Sequence, residues 1–166
     1  MTVELRSVTV ADWRLLREIR LRALADAPKA FGTTLDQARG LSDAEWRARA
    51  GGGGGVTLLA LDDGVAVAMG GLFAPPDRAI AFVWGMWTDP VARGRGVGGQ
   101  LLDSLVARCR DAELDGAHHD ELRLHVTEGN AGARELYVGR GFRSTGTWEP
   151  LRDGSSLRIE ELRLVF

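Results

Sequence analysis

The sequence predicts a layered α/β fold. The expectation is one domain over residues 1–166, with a mixed, mostly antiparallel sheet of six to seven strands and helices on both faces. Three observations lead there. An apolar run from Ile80 to Trp87 ends in Thr88-Asp89-Pro90 and passes through Arg93-Gly94-Arg95-Gly96-Val97-Gly98-Gly99 into a helical pattern. Two further apolar segments, Val56 to Leu61 and Val65 to Phe73, flank Asp62-Asp63-Gly64, a strong hairpin signal. Helical and strand periods alternate along the chain in the order β-α-α-β-β-β-α-β-α-β-β, which asks for helices layered on a sheet.

Val3 to Val8 reads as the first strand, with Val3 and Leu5 on one face. Thr9 or Asp12 caps the helix that follows. That helix runs to about Ala25, with Leu15, Ile19 and Arg22 or Ala23 on one stripe and Leu16, Arg20 and Leu24 beside it, until Pro28 stops it or kinks its end. Ala30 to Leu35 shows neither period. Ser42-Asp43-Ala44-Glu45 is a capping box for a second helix holding Trp46, so residues 28–50 read as loop plus one short helix. The run Gly51 to Gly55 lacks an internal basic residue and a following Lys-Ser or Lys-Thr, which excludes a P-loop and leaves a flexible turn.

After the hairpin, Pro75-Pro76-Asp77 turns the chain into the Ile80 to Trp87 strand and completes an antiparallel meander. Leu101, Leu102, Leu105, Val106 and Cys109 then recur at helical spacing, which predicts a helix from about Gly98 to Glu113. Asp115 to Asp120 is a polar connection. Leu122, Leu124 and Val126 alternate with Arg123, His125 and Thr127 as a strand with one apolar face. Ala131 to Gly139 reads as a helix, Phe142 to about Trp148 as a strand, and Leu157 to Phe166 as the last strand. There the apolar positions change from odd (Leu157, Ile159) to even (Leu162, Leu164, Phe166), which predicts a bulge near Glu160-Glu161.

Composition narrows the function. A single domain of 166 residues buries roughly 70% of its extended-chain surface, enough for a real core. A net charge of −2 lacks the basic excess of a nucleic-acid binder. The lone Cys109 excludes an internal disulfide and falls on an apolar helix face, where it acts as a small hydrophobe. With no apolar leader and no run of 18 apolar residues, the expected location is the cytoplasm, with no membrane partner. His118 and His119 are adjacent in a loop without spaced ligands, so no metal is expected.

The glycine-rich turn is the chemically loaded stretch. Its glycines let backbone approach a bulky anion, and the first amides of the next helix point outward with the positive end of the helix dipole. Arg93 and Arg95 add charge-assisted donors. Gly94, Gly96 and Gly99 also match G-x-G-x-x-G, but the match lies past mid-chain behind an antiparallel meander. A dinucleotide fold places that motif in its first βαβ unit, so the match does not carry that reading.

Two blocks together resemble the GNAT superfamily of N-acetyltransferases. Arg93 to Gly98 is similar to its acetyl-CoA diphosphate motif, Arg/Gln-x-x-Gly-x-Gly/Ala, and Asn130 to Phe142 is similar to its block Asn-x-x-Ala-x-x-Leu-Tyr-x-x-x-Gly-Phe. The stretch from Arg20 to Leu35 resembles a bacterial subgroup with amine-acetylating members. The resemblance implies acetyl-CoA as co-substrate, held by Met86, Trp87, Thr88, Arg93, Gly94, Arg95, Gly96, Val97, Gly98, Gly99, Asn130, Arg134 and Tyr137. It implies Tyr137 as the general acid for the departing thiolate, a bulge at Gly85, and parting of the fourth and fifth strands.

Relatives often place a glutamate base on the fourth strand. Ile80 to Trp87 has no carboxylate, which leaves His125 as the base to test, with a water chain or no dedicated base equally open and Glu149 and Glu161 behind them. The acceptor, a small amine or a protein amino group, is expected at Phe31, Thr33, Thr34, Trp46 and Trp84 and at the loop from Trp148 to Ser155. The C-terminal strand permits a homodimer. The rival reading is an acyl-CoA-binding sensor without turnover, favoured by the missing base and opposed by Tyr137.

Overall fold

The computed structural model describes residues 2–53, 55–76, 78–111, 114 and 116–166. The expected ends at Asp77, Glu113 and Asp115, and Gly54 of the glycine run, lie outside the described residues. Among the described residues seven strands form one open sheet: β1 (Glu4–Ser7), β2 (Gly55–Asp62), β3 (Val65–Phe73), β4 (Ile80–Thr88), β5 (Glu121–Thr127), β6 (Arg143–Pro150) and β7 (Arg158–Val165). Their order is β1-β2-β3-β4-β5-β7-β6, and every neighbouring pair is antiparallel except β4 and β5. The helices are α1 (Trp13–Asp26), α2 (Leu35–Arg39), α3 (Asp43–Ala50), α4 (Val97–Arg110) and α5 (Ala131–Gly139).

This is the predicted order with one addition, α2. Thr34 accepts from the Gln37 amide while the Gln37 side chain returns to the Thr34 amide, so a capping box starts a helix within the segment that shows no period. Five residues are too few for a periodic apolar face to be visible.

Two cores sandwich the sheet. On one face Leu101, Leu102, Leu105 and Cys109 of α4 pack with Leu58, Ala60, Leu72, Leu122 and Leu124. On the other, Trp13, Leu16 and Ile19 of α1 and Trp46 of α3 pack with Leu59, Leu61, Met69 and Trp87. Burying each such leucine contributes roughly 1.5–3 kcal/mol.

The sheet is interrupted at β4. Gly85 sits at φ +66°, and the β3–β4 register passes from Gly71↔Trp84 to Met69↔Trp87, so β4 carries one extra residue. The extra residue resets the alternation, placing Met86 against the α4 core and Trp87 in the α1 core. Pairing of β4 with β5 is confined to Ile80, Ala81 and Phe82, and the two strands then part.

The predicted bulge in the last strand is not there. β7 pairs with β5 without interruption from Ile159 to Val165, and the irregularity lies in β6, between Ser144 and Trp148, where Gly146 has φ +82°. The apparent change of phase has another origin. Glu160 occupies an inward position on the α4–α5 side and is neutralised there by Arg134, while Ile159 lies on the side that α4 and α5 do not cover. Hydropathy alone reads that exchange as a slip.

Candidate functional site

The glycine-rich turn builds one end of a cavity. Gly96 is the N-cap of α4 at φ +78°, and Gly94 has φ +75°, a region that side-chain-bearing residues avoid. A Cβ on either would meet no protein atom within 4 Å, so both face open space. The first helical bond runs from the Gln100 amide to the Gly96 carbonyl (3.0 Å), which leaves the amides of Val97, Gly98 and Gly99 without a helical acceptor. They border a groove of about 490 Å³ that continues along Met86, Trp87 and Thr88, past Ala27 and Ala30 beyond α1, to Asn130, Gly132, Ala133, Leu136 and Tyr137. This lies within the roughly 300–1,000 Å³ range of small-molecule sites.

Packing also dictates small residues here. A Cβ on Gly99 would collide with the Arg140 guanidinium, itself held by Asp103 at 2.7 Å, and one on Gly98 would lie 3.1 Å from the Thr88 hydroxyl.

Arg93 lines the groove, yet its guanidinium is engaged. Nε donates to the Thr88 carbonyl (2.9 Å) and Nη2 to Asp26 (2.5 Å), while the Trp87 indole N–H donates to the same Asp26 oxygen (2.9 Å). The Trp87 hydrogen bond, and then Arg93, hold the Asp26 carboxyl below its ordinary range. The end of α1, the end of β4 and the turn are thereby pinned together.

At its far end the groove meets a narrow slot of about 70 Å³, where β4 and β5 have parted. Met86, Asn130 and Tyr137 border both spaces. Tyr137 belongs to the α4-side core, with its ring edge-on to Phe142 at 6.2 Å. Burial pushes its phenol well above the usual value, so it stays protonated at neutral pH. Asn130 is the N-cap of α5 but makes no side-chain cap bond, which leaves its amide to the cavities.

From the other face of the sheet, His125 enters the same slot with Phe31 and Trp84. Its Nε2 lies 3.4 Å from Glu149 and 3.6 Å from Glu161, and its ring lies parallel to Phe82 with centroids 6.1 Å apart. An acid and a base candidate therefore reach one gap from opposite sides of the sheet.

Other expected residues are not brought here. Arg134 makes a two-pronged pair with Glu160 (2.8 and 3.2 Å) and lines neither space, and neither does Arg95. Thr33 borders neither, and Thr34 is spent capping α2. Trp46, 2% exposed, lies in the α1–α3 core against a separate cavity. The loop after β6 contributes indirectly: Arg152 donates to the carbonyls of Pro28 (3.0 Å), Phe31 (2.7 Å) and Gly32 (3.2 Å), fixing the segment that carries Phe31.

Sequence reasoning missed Asp26, Ala27 and Ala30. Their only signal is a pair of small residues and a carboxylate around the helix-stopping Pro28.

A family model described as acetyltransferase (GNAT) family matches residues 16–142. A search of the curated proteins gives no match. Solved structures are similar over nearly the whole chain. An acetyltransferase of the GNAT family from Streptococcus pneumoniae superposes with a TM-score of 0.79 at 18% identity, covering 99% of this chain and 100% of its own. The yncA protein of Salmonella typhimurium, solved with its cofactor acetyl-CoA, gives 0.77 at 19% identity, covering 99% and 94%. The ribosomal-protein-alanine N-acetyltransferase of Brucella melitensis gives 0.73 at 23% identity, covering 98% and 99%. At such identities the likeness speaks for the fold.

Proposed function

This chain belongs to the acetyltransferase (GNAT) family of acyltransferases, and from that premise we propose that it moves an acetyl group from acetyl-CoA to a primary amine of a small molecule or a peptide. One observation supports this reading above the others: a groove with unbonded helix amides at one end and a protonated tyrosine at the other opens through parted strands to a histidine.

The groove fits the coenzyme by its chemistry. The diphosphate suits the amides of Val97 to Gly99, where glycines leave room and the helix dipole favours anions. The unpaired backbone of β4 past Phe82 suits the amide-bearing arm, and the Asn130 amide suits its end. In the slot, the lone pair of a neutral amine attacks the thioester carbonyl. The C–N bond forms, the C–S bond breaks, and the Tyr137 hydroxyl gives its proton to the departing thiolate. His125, flanked by Glu149 and Glu161, accepts the proton that the nitrogen sheds. Holding both reactants in one gap supplies much of the rate without a covalent enzyme intermediate.

The test is titration of the purified chain with acetyl-CoA by calorimetry, followed by thiol release with a panel of amines. Binding in roughly the micromolar range and amine-dependent release are the expected results. Folded protein that binds no acetyl-CoA would overturn the reading.

A further inference from the structure

A second cavity of about 420 Å³ lies on the α1–α3 side, apart from the groove, and shares Trp84 with the slot. Its walls include Arg20, Arg49, Trp46, Leu72, Phe73 and Trp84. Nothing in the reaction described above uses it.

Arg20 is its unusual member. The guanidinium lies over the rings of Phe31 (4.7 Å) and Trp84 (5.7 Å), and Nη1 is buried without a hydrogen-bond partner among the described residues. No described carboxylate lies within ion-pair distance of it. Burial, with the positive charge of Arg49 adding to it, lowers its pKa to about 10, so it remains a cation at neutral pH. The same Nη1 stands 3.5 Å from where a Cβ on Gly85 would be, and Gly85 lines the slot. The indole N–H of Trp46, a wall residue 2% exposed, also lacks an acceptor.

A desolvated cation left without a counter-charge is costly, and an anion in the cavity that Arg20 lines relieves that cost. The charge balance selects its kind. Glu45, one turn before Arg49 on α3, is held below its ordinary range chiefly by the Ser42 amide and hydroxyl, with Arg49 a smaller influence. Glu45 and Arg49 are both exposed to solvent, which leaves Arg20 as the one desolvated cation among the described lining residues. That suits a single carboxylate better than a dianionic phosphate.

We infer that this cavity holds the carboxylate of the acetyl acceptor, which makes the acceptor an amino acid or a related amine bearing an acid group. The carboxylate pairs with Arg20, and the amino group reaches the slot past Trp84 and Gly85. This rests on the acetyltransferase reading above and specifies its substrate class.

The experiment measures thiol release with the standard L-amino acids and with β-alanine and phosphoethanolamine, each amino acid beside its neutral amide. Calorimetry with acetyl-CoA runs in parallel on wild type, Arg20→Met and Arg20→Lys. The best amino acid should exceed its amide by at least about tenfold in kcat/KM. In Arg20→Met that ratio should fall to near one while acetyl-CoA affinity stays unchanged, and Arg20→Lys should retain part of the preference. The ratio is insensitive to simple loss of active protein. Amides serving as well as acids, a preference for phosphoethanolamine, or an Arg20→Met ratio equal to wild type would overturn the inference. Failure of the acetyltransferase reading would appear differently, as absent acetyl-CoA binding. In that event, calorimetric titration of the amino acids into wild type and Arg20→Met decides the carboxylate site, and no binding by wild type overturns it.

Discussion

The two sides of the sheet are built by different means. On the α4–α5 side the candidate coenzyme groove is made largely of backbone: positive-φ glycines, three unbonded amides and a strand edge left open by a bulge. Its parts come from contiguous stretches. On the α1–α3 side the features that shape the slot and its neighbouring cavity are side chains joined across long separations. Arg152 reaches the carbonyl of Phe31, 121 positions away, and Arg20 lies over Trp84. A backbone cradle is specified by local spacing and suits an anion shared by many enzymes. A side-chain wall can change residue by residue and suits whatever acceptor a given enzyme takes. Variants on the two sides should therefore fail in different ways.

The largest effect belongs to Gly96→Asp. It puts a Cβ on a residue at φ +78°, a strain of about 1–2 kcal/mol, and sets a carboxylate among the amides that would receive the diphosphate. Acetyl-CoA affinity by calorimetry should fall by about a thousandfold or more, some 4 kcal/mol, with the chain still folded. An affinity within threefold of wild type would remove the turn from the coenzyme site. Tyr137→Phe comes next. Deleting the protonated hydroxyl should cost about 10²–10³ in kcat, with acetyl-CoA affinity unchanged. An unchanged kcat would mark the ring as packing only.

Arg134→Met sharpens the contrast, because it tests a residue expected at the coenzyme that the structure turns toward Glu160. Arg134 holds the Glu160 carboxyl below its ordinary range, and Glu160 is 5% exposed on the inner face of β7. Removing the cation leaves that carboxylate unpaired. The Arg134 side chain is 49% exposed, so solvent softens the penalty, and the loss of stability should read as a modestly lower midpoint in chemical denaturation. Acetyl-CoA affinity should stay within about threefold. A tenfold loss of affinity without destabilisation would return Arg134 to the coenzyme site.

The same division explains what was legible in advance. The strand, turn and helix around Arg93 to Gly99 could be read because hydrophobic period, glycine spacing and helix start all lie within one stretch. Tyr137 and Asn130 were singled out by the resemblance of Asn130 to Phe142 to a family block, again one contiguous stretch. The Glu160–Arg134 pair was not, since a neutralised inward carboxylate looks like a solvent position to any hydropathy pattern. Neither was the brace of Asp26 with Trp87 and Arg93, whose partners meet only after α1 packs against β4. Arg20 read as one more helix position, and its isolation from counter-charges emerges only in three dimensions.

The smallest effect, and the one that joins the two sides, is expected of Asp26→Asn. The carboxylate accepts the Trp87 indole N–H and the Arg93 guanidinium, so it ties an α1-side tryptophan to the glycine-rich turn. The indole bond survives in the amide, because its oxygen can still accept, whereas the charge opposite Arg93 is lost. Half-exposed as it is, the pair should be worth only about 1 kcal/mol in chemical denaturation. The wild-type carboxyl is held below its ordinary range when folded, so folding favours its charged form. Its contribution is complete above the ordinary carboxylate range near pH 4 and fades as pH falls through the lower folded value. The stability gap between wild type and Asp26→Asn should thus be constant from about pH 5 to pH 7 and narrow in more acidic solution. A gap that widened with acid would show that Asp26 is not the stabilised anion of this brace. A constant gap accompanied by weakened acetyl-CoA binding would show that the α1 side sets the position of Arg93 for the groove beyond it.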